Sequence, residues 1–377
     1  MKSFLFQFIS GVEHLFASSA VLLNMVLRAC RLIGPADVYC DCASEWRYPS
    51  YLIRALRLAG ATTIEVPSHD ARSMLRIDGL GNFMRRVRVI RDGATPTAPT
   101  IITVHPDRSY GSSCTVIRVS IDYFSDDDRA TGMVMPYFIH PELWRFKREF
   151  ERQSMNLRPL RIGFAGTINS EAYRRAFEFP MMNRTEIFDT INSRLADRIS
   201  VARSRSELDA IGKKPSPIVI VPVEEVRDTT TKHILRGRKY IDFLGRCAFF
   251  IAAPGWAMPF SHSLIESMAL GTIPILNYAN YLYPPLLNGE NCLTFTTPTD
   301  LCDTIDRAIM MSENEIARLR SGVTRYFSEN LSVGSFALRL RQKLDSNLTL
   351  VVNAEHLSAA LWQSRCCGGE KTAQGEG

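Results

Sequence analysis

Between Pro254 and Glu266 the chain reads PGWAMPFSHSLIE. Ser261, His262 and Ser263 place two hydroxyls and an imidazole side by side, and Glu266 follows one helical turn after His262. Hydroxyls, an imidazole and the unpaired backbone N–H groups of a helix start are all hydrogen-bond donors, and the helix dipole adds positive potential. Such a set suits a diphosphate. Gly255 lets phosphates approach the backbone or simply makes a turn. Trp256 is placed to stack on a ring or to pack within its own loop. Ser263 and Glu266 also have the spacing of a capping box, so Glu266 has a structural use as well.

The elements that must position these residues follow from the pattern. Residues 248–253 are a short apolar run, as in a strand buried on both faces. Pro254-Gly255 breaks it. A helix opens at Ser261-His262-Ser263 and runs to about Leu270. Gly271 stops it in the left-handed region, and residues 273–276 form a second buried strand. Strand, helix and strand make a right-handed βαβ unit of a parallel sheet. In such sheets ligands sit beyond the carboxyl ends of the strands, which is where Pro254 to Ser263 fall.

The pattern of apolar strand, P-G, S-x-S-x-x-E and G-T-I-P-I-L resembles the donor-binding domain of GT-B glycosyltransferases, and most closely the exostosin-like family. The resemblance covers about residues 158–300, and its specific core is some thirty residues. Three positions depart from the family pattern. Ser263 stands where the family has arginine, Thr272 where it has cysteine, and Met258 where retaining GT-B enzymes often carry a second glutamate. The resemblance implies an α/β fold of two Rossmann-like domains facing each other across a cleft. It implies transfer of a sugar from a nucleotide-diphosphate donor to a hydroxyl of a glycan or glycolipid, inverting and without a metal or other cofactor. It also implies that Glu266 accepts the ribose hydroxyls, since a carboxylate can take two hydrogen bonds from a vicinal diol. His262 would then protonate or polarise the leaving phosphate.

The rest of the expected site is more dispersed. The Gly166-Thr167 turn after a strand over residues 161–165 lets a ligand approach the backbone, and a similar turn occurs in the family. Cations for the diphosphate are Arg174 and Arg175 after that turn, and Arg236, Arg238 and Lys239 on a basic helix expected over 230–246. A base for the acceptor hydroxyl is sought in the first domain. Asp41 and Glu45 lie at the end of its first strand, with His105 and His140 as alternatives. Asp126-Asp127-Asp128 has the look of a metal-binding D-x-D, but turn chemistry explains it without one.

With 377 residues the chain is expected to form two domains. Their expected bounds are 34–155 on the acceptor side and 156–330 on the nucleotide-sugar side. An apolar helix over 1–33 precedes them. Helices over 331–364 fold back across both, and a disordered tail covers 365–377. A net charge of +6, with no basic stripe interleaved with aromatics, argues against nucleic acid. The nine cysteines form no C-x-x-C pair or zinc spacing, so a reducing, cytoplasmic setting is expected. Residues 3–27 carry only Glu13 and His14 as ionisable side chains. They are long enough to span a bilayer, but those two groups make insertion costly. A helix packed on the first domain or lying in a membrane interface is expected, with a membrane anchor as the alternative. Two other readings stay open: a non-catalytic sugar-nucleotide-binding partner of the same fold, and a retaining GT-B transferase. A sugar-nucleotide epimerase is disfavoured, because no G-x-G-x-x-G follows a first strand.

Overall fold

The computed structural model describes residues 36–41, 48–67, 87–90, 96, 98–105, 108, 110, 113–153, 158–168, 173, 179–213, 216–222 and 235–368. The chain divides into two compact units. One is Met1–Pro136 with Val333–Ser358, the other Tyr137–Ser332 with Ala359–Gly377. The first unit runs through β1 (Val38–Asp41), α1 (Tyr48–Ala59), β2 (Ile64–Pro67), β3 (Val87–Ile90), β4 (Thr100–Thr103), β5 (Thr115–Ser120), α2 (Asp126–Thr131) and β6 (Met133–Val134). The second begins with a 3-10 turn (Pro141–Phe146) and α3 (Lys147–Gln153). It continues with β7 (Leu160–Gly166), α4 (Arg184–Arg194), β8 (Ile199–Val201), α5 (Arg205–Lys213) and β9 (Ile218–Pro222). Then come α6 (Arg238–Arg246), β10 (Cys247–Ile251), α7 (His262–Ala269), β11 (Ile273–Leu276), β12 (Leu293–Thr294), α8 (Pro298–Met310) and α9 (Glu313–Tyr326). The chain returns to the first unit in α10 (Val333–Arg341) and β13 (Leu348–Val351), and α11 (His356–Gly368) ends the described residues.

Both sheets are parallel throughout. The first unit has strand order β3-β2-β1-β4-β5-β13-β6, the second β12-β11-β10-β7-β9-β8. Strands β1, β2, β4, β10 and β11 are buried at every residue, as parallel strands covered on both faces must be. Asp37 aligns two neighbours in the first sheet. Its Oδ2 accepts the amides of Thr62 and Thr63 at 2.6 and 2.9 Å, just ahead of β2.

Several expectations need correction. The unit boundary falls between Pro136 and Tyr137 rather than near residue 155. The cause is that the 3-10 turn and α3 pack on α6. Arg238 pairs with Glu149 at 2.6 Å, and the Phe146 ring lies where a β-carbon on Gly237 would sit, at 2.9 Å. The basic helix expected from residue 230 is seen from Arg238. Gly237 before it has φ +56°, a left-handed conformation that stops helix from continuing through it. Residues 223–234 lie outside the described residues. The return segment is not helix alone, because β13 inserts between β5 and β6, with Val352 N–H donating to Ser120 at 2.8 Å. At the other end α11 runs to Gly368, past the expected start of the tail at residue 365, and Trp362 on it stacks on Phe179 at 4.0 Å. The expected apolar helix at 3–27 also lies outside the described residues. Among the described residues, no helix is long and apolar enough to cross a membrane.

The βαβ unit expected at residues 247–277 is present as β10, α7, Gly271 at φ +68° and β11. Arg158 fixes its lower end. The guanidinium donates to the Cys247 carbonyl at 2.8 Å, to Thr272 Oγ1 at 2.6 Å and to the Leu270 carbonyl that ends α7. Burial lowers this guanidinium to about 10, and Arg320 adds to the effect.

Close packing makes two helical glycines unequal. A β-carbon on Gly322 in α9 would meet the Glu290 carbonyl at 2.1 Å, whereas one on Gly334 in α10 would meet nothing within 4 Å. Gly322→Ala is expected to lose about 1–3 kcal/mol in urea unfolding despite its better helix propensity. Gly334→Ala should gain about 0.5 kcal/mol in the same measurement.

Candidate functional site

In the second sheet β7 and β10 are neighbours, and the chain leaves them in opposite directions, toward β9 and β8 from one and toward β11 and β12 from the other. This is the topological switch point, where doubly wound sheets bind ligands. Arg184 spans it. Its Nε donates to the Pro254 carbonyl at 2.9 Å, Nη2 to Ala253 at 3.3 Å and Nη1 to Thr167 at 3.1 Å. The guanidinium also lies 4.1 Å from the Tyr173 ring centroid and 5.9 Å from that of Phe164. Arg184 is 6% exposed, and burial lowers its pKa. Among the described residues its partners are carbonyls and rings, and none is a carboxylate. A buried cation without a counter-charge is costly, and an anion bound beside it offsets that cost.

Pattern reasoning did not select Arg184. It is the first residue of α4, directly after the Asn183 cap, which forms a complete capping box with Glu186. A cation there opposes the helix dipole. An arginine that breaks a local rule right after a strong N-cap was the available signal.

The start of α7 lies beyond the same strand ends. Its N-cap, Ser261, is extended (φ −124°, ψ 147°) and makes no side-chain cap. The Ser261 hydroxyl instead meets that of Ser263 at 2.9 Å. The expected Ser263–Glu266 capping box does not form, because the N-cap is Ser261 and Ser263 lies inside the helix, and Glu266 bonds elsewhere. Tyr278, after β11, buries its hydroxyl without a well-formed hydrogen bond, under the influence of Ser261 and Arg184. Burial raises its pKa. Two hydroxyls, a phenol, a guanidinium and a helix start therefore converge on one region of the second unit.

The glycines divide. Gly166 keeps room beside the cation, since a β-carbon there would lie 3.0 Å from the Phe164 ring and 3.7 Å from Arg184 Nη1. Gly255 serves its own loop. Its amide donates to Pro259 at 3.2 Å, and a β-carbon would meet the Phe260 carbonyl at 2.4 Å. Trp256 in that loop is 54% exposed.

His262 and Glu266 share one face of α7, as expected, but both are engaged by protein. The His262 Nδ1–H donates to the Phe138 carbonyl at 3.1 Å, and Nε2 lies 2.7 Å from the Tyr137 hydroxyl. Glu266 is 3% exposed, and its Oε1 accepts the His140 amide at 3.2 Å. The Tyr240 hydroxyl donates to the same carboxyl. Burial raises that carboxyl to about 7, while the His140 and Tyr240 bonds act in the opposite direction.

The remaining candidates do not join this group. Arg238 is committed to Glu149. Arg174, Arg175 and Glu45 lie outside the described residues. Asp41 ends β1 in the first unit, fully buried, where Oδ2 accepts Arg108 at 2.8 Å and Tyr39 at 3.3 Å. An arginine partner makes a carboxylate a poorer base. The acids at 126–128 form the first turn of α2 behind the Ser125 cap. Asp128 accepts from Ser120 and Asp126 pairs with Arg129. No group of three or more metal-ligating side chains is found among the described residues.

No protein-family model matches the chain, and no curated protein matches it. Solved structures do. HepE of Anabaena, solved with UDP, matches with TM-score 0.50 at 9% identity, covering 82% of this chain and 99% of that one. A sucrose-phosphate synthase from Thermosynechococcus elongatus matches with TM-score 0.43 at 12% identity, covering 81% and 98%. WaaG, a glycosyltransferase involved in lipopolysaccharide biosynthesis, matches with TM-score 0.36 at 9% identity, covering 81% and 99%. At these identities the likeness is one of fold. The protein has an α/β fold of two parallel-sheet, Rossmann-like units, of the GT-B glycosyltransferase type. The narrower exostosin-like resemblance has no matching family model.

The raised carboxyl carries a pH signature. Its folded value of about 7 lies above the ordinary 4.5, so its stabilising contribution is complete below 4.5 and is lost as pH rises through 7. Glu266→Gln keeps an acceptor for both donors. The wild-type stability minus that of the variant should fall by on the order of 3 kcal/mol between pH 4.5 and 8, measured by urea unfolding.

Proposed function

We propose that the protein is a glycosyltransferase that moves a sugar from a nucleotide-diphosphate donor to a hydroxyl of a glycan or glycolipid. The observation that carries this reading is the buried Arg184 at the switch point, with no carboxylate partner among the described residues, beside the uncapped start of α7. A diphosphate placed there would take hydrogen bonds from the Ser261 and Ser263 hydroxyls and from the first backbone N–H groups of α7, and would lie in the field of the guanidinium. That charge stabilisation serves the leaving group as the sugar–oxygen bond breaks, when negative charge grows on the phosphate. Met258, in place of a second glutamate, supports inverting rather than retaining transfer. Inversion requires a base on the acceptor hydroxyl.

Binding of sugar nucleotides without transfer is the second reading. It is favoured by the engagement of both His262 ring nitrogens and by the ion pair at Asp41. Release of free sugar from UDP- and GDP-sugars separates the two, because transferases leak slowly to water.

Titration calorimetry with UDP and GDP tests the donor site. Arg184→Met should weaken the tighter nucleotide by about 10- to 100-fold, the range for a hydrogen bond to a charged group. Failure of the wild-type protein to bind either nucleotide would overturn the proposal.

A further inference from the structure

The far end of α7 carries another group of hydrogen-bond donors. Arg158 and Arg320 meet there, beside Gly271. A β-carbon on that glycine would lie 3.5 Å from Arg158 Nη2, 3.4 Å from Arg320 Cγ and 3.2 Å from Thr324 Oγ1. Arg320 and Thr324 are one turn apart on α9, so they share a face of that helix. Arg158 spends its bonds on the Cys247 and Leu270 carbonyls and on Thr272 Oγ1. Arg320 is half-buried, with Nε covered by protein, and it donates no hydrogen bond among the described residues. The carboxylate that acts on Arg320 is Glu313, which is exposed and bonded to Arg161 at 3.3 Å.

The helix end explains only one of these arginines. A cation bound to the last carbonyls of a helix offsets the partial negative charge there, which accounts for Arg158. Arg320 bonds none of those carbonyls. Two full charges exceed the half charge of a helix end, so the helix does not balance them. Like charges in a half-buried place repel each other. Burial lowers the pKa of both guanidinium groups, and Arg320 lowers that of Arg158 further.

We propose that Arg158, Arg320 and Thr324 form a further anion site, which takes a phosphate group. It lies at the opposite end of α7 from Ser261 and does not depend on the reading of the donor site. A phosphate there would accept from the Arg320 Nη nitrogens and the Thr324 hydroxyl, and its charge would relieve the repulsion between the two guanidinium groups. Arginine suits such a place, because its planar fork matches phosphate oxygens in pairs and it is weakly hydrated.

Thermal unfolding of the full chain tests the site, with ionic strength held constant by sodium chloride so that general screening cancels. Inorganic phosphate should raise the unfolding temperature of the wild type more than chloride does. The start of α7 also suits phosphates, so the titration is repeated in Arg184→Met, where the rise should persist. In Arg320→Met the rise should be lost, with affinity down by about 10- to 100-fold. Thr324→Glu keeps both arginines and tethers a carboxylate one turn from Arg320. It should compete with phosphate and abolish the rise, and it decides the matter if Arg320→Met does not fold. Glucose 6-phosphate in the Arg184→Met background separates free from esterified phosphate. A rise no larger than with inorganic phosphate assigns the free anion, and a larger one assigns a phosphomonoester. A wild-type rise with phosphate no larger than with chloride overturns the proposal. So does a rise that Arg184→Met removes, or one that Thr324→Glu leaves unchanged.

Discussion

The second unit depends on one buried positive charge. Arg184 is removed from water and satisfied by the carbonyls at the ends of β7 and β10. Those carbonyls belong to the two strands from which the chain departs in opposite directions. The guanidinium therefore ties the segments that follow the two strands, and among the described residues no carboxylate pairs with it. Carbonyl dipoles reduce the desolvation cost but do not cancel a full charge.

Helix α7 is held around that charge at two places. Below, Arg158 binds the Leu270 carbonyl and the adjacent Thr272. On one flank, His262 and Glu266 bind the segment that enters the unit. In the first turn the Leu264 N–H donates to the Ser261 carbonyl at 3.1 Å, and Ser261 adds no side-chain cap. Rigid donors aimed at a fixed place lose little entropy when a ligand arrives. The tight loop before the helix adds to this, since Gly255 and Pro259 close it by a backbone hydrogen bond. Gly255 is needed there because a β-carbon would collide with the Phe260 carbonyl.

Polar residues of the same type take different parts according to depth. Arg238, on the surface, forms an ion pair with Glu149 of the kind that contributes little. Arg184, buried, and Arg158, half-buried, are bound to carbonyls and organise strand ends and helix ends. Glu266, buried, meets the half-buried Tyr240, and burial drives the carboxyl toward its neutral form. Sequence spacing alone assigns all of these to one pool of candidate charges.

Much of the architecture was legible in the chain as written. The apolar runs at β7, β9, β10 and β11, the stop at Gly271 and the amphipathic helices α8 and α9 follow from local pattern, because their periodicity and turn residues act over a few positions. So does the helix start after Pro254-Gly255. Tertiary structure alone decided the rest. It inserted β13 into the first sheet, since a four-residue apolar run carries no record of its partners. It turned Glu266 inward to His140 and Tyr240 instead of back to Ser263, and it brought Arg184 from a helix start to the ends of two strands. These outcomes depend on contacts between residues far apart in sequence, and on the cost of burying a charge, which arises only once the chain has folded around it.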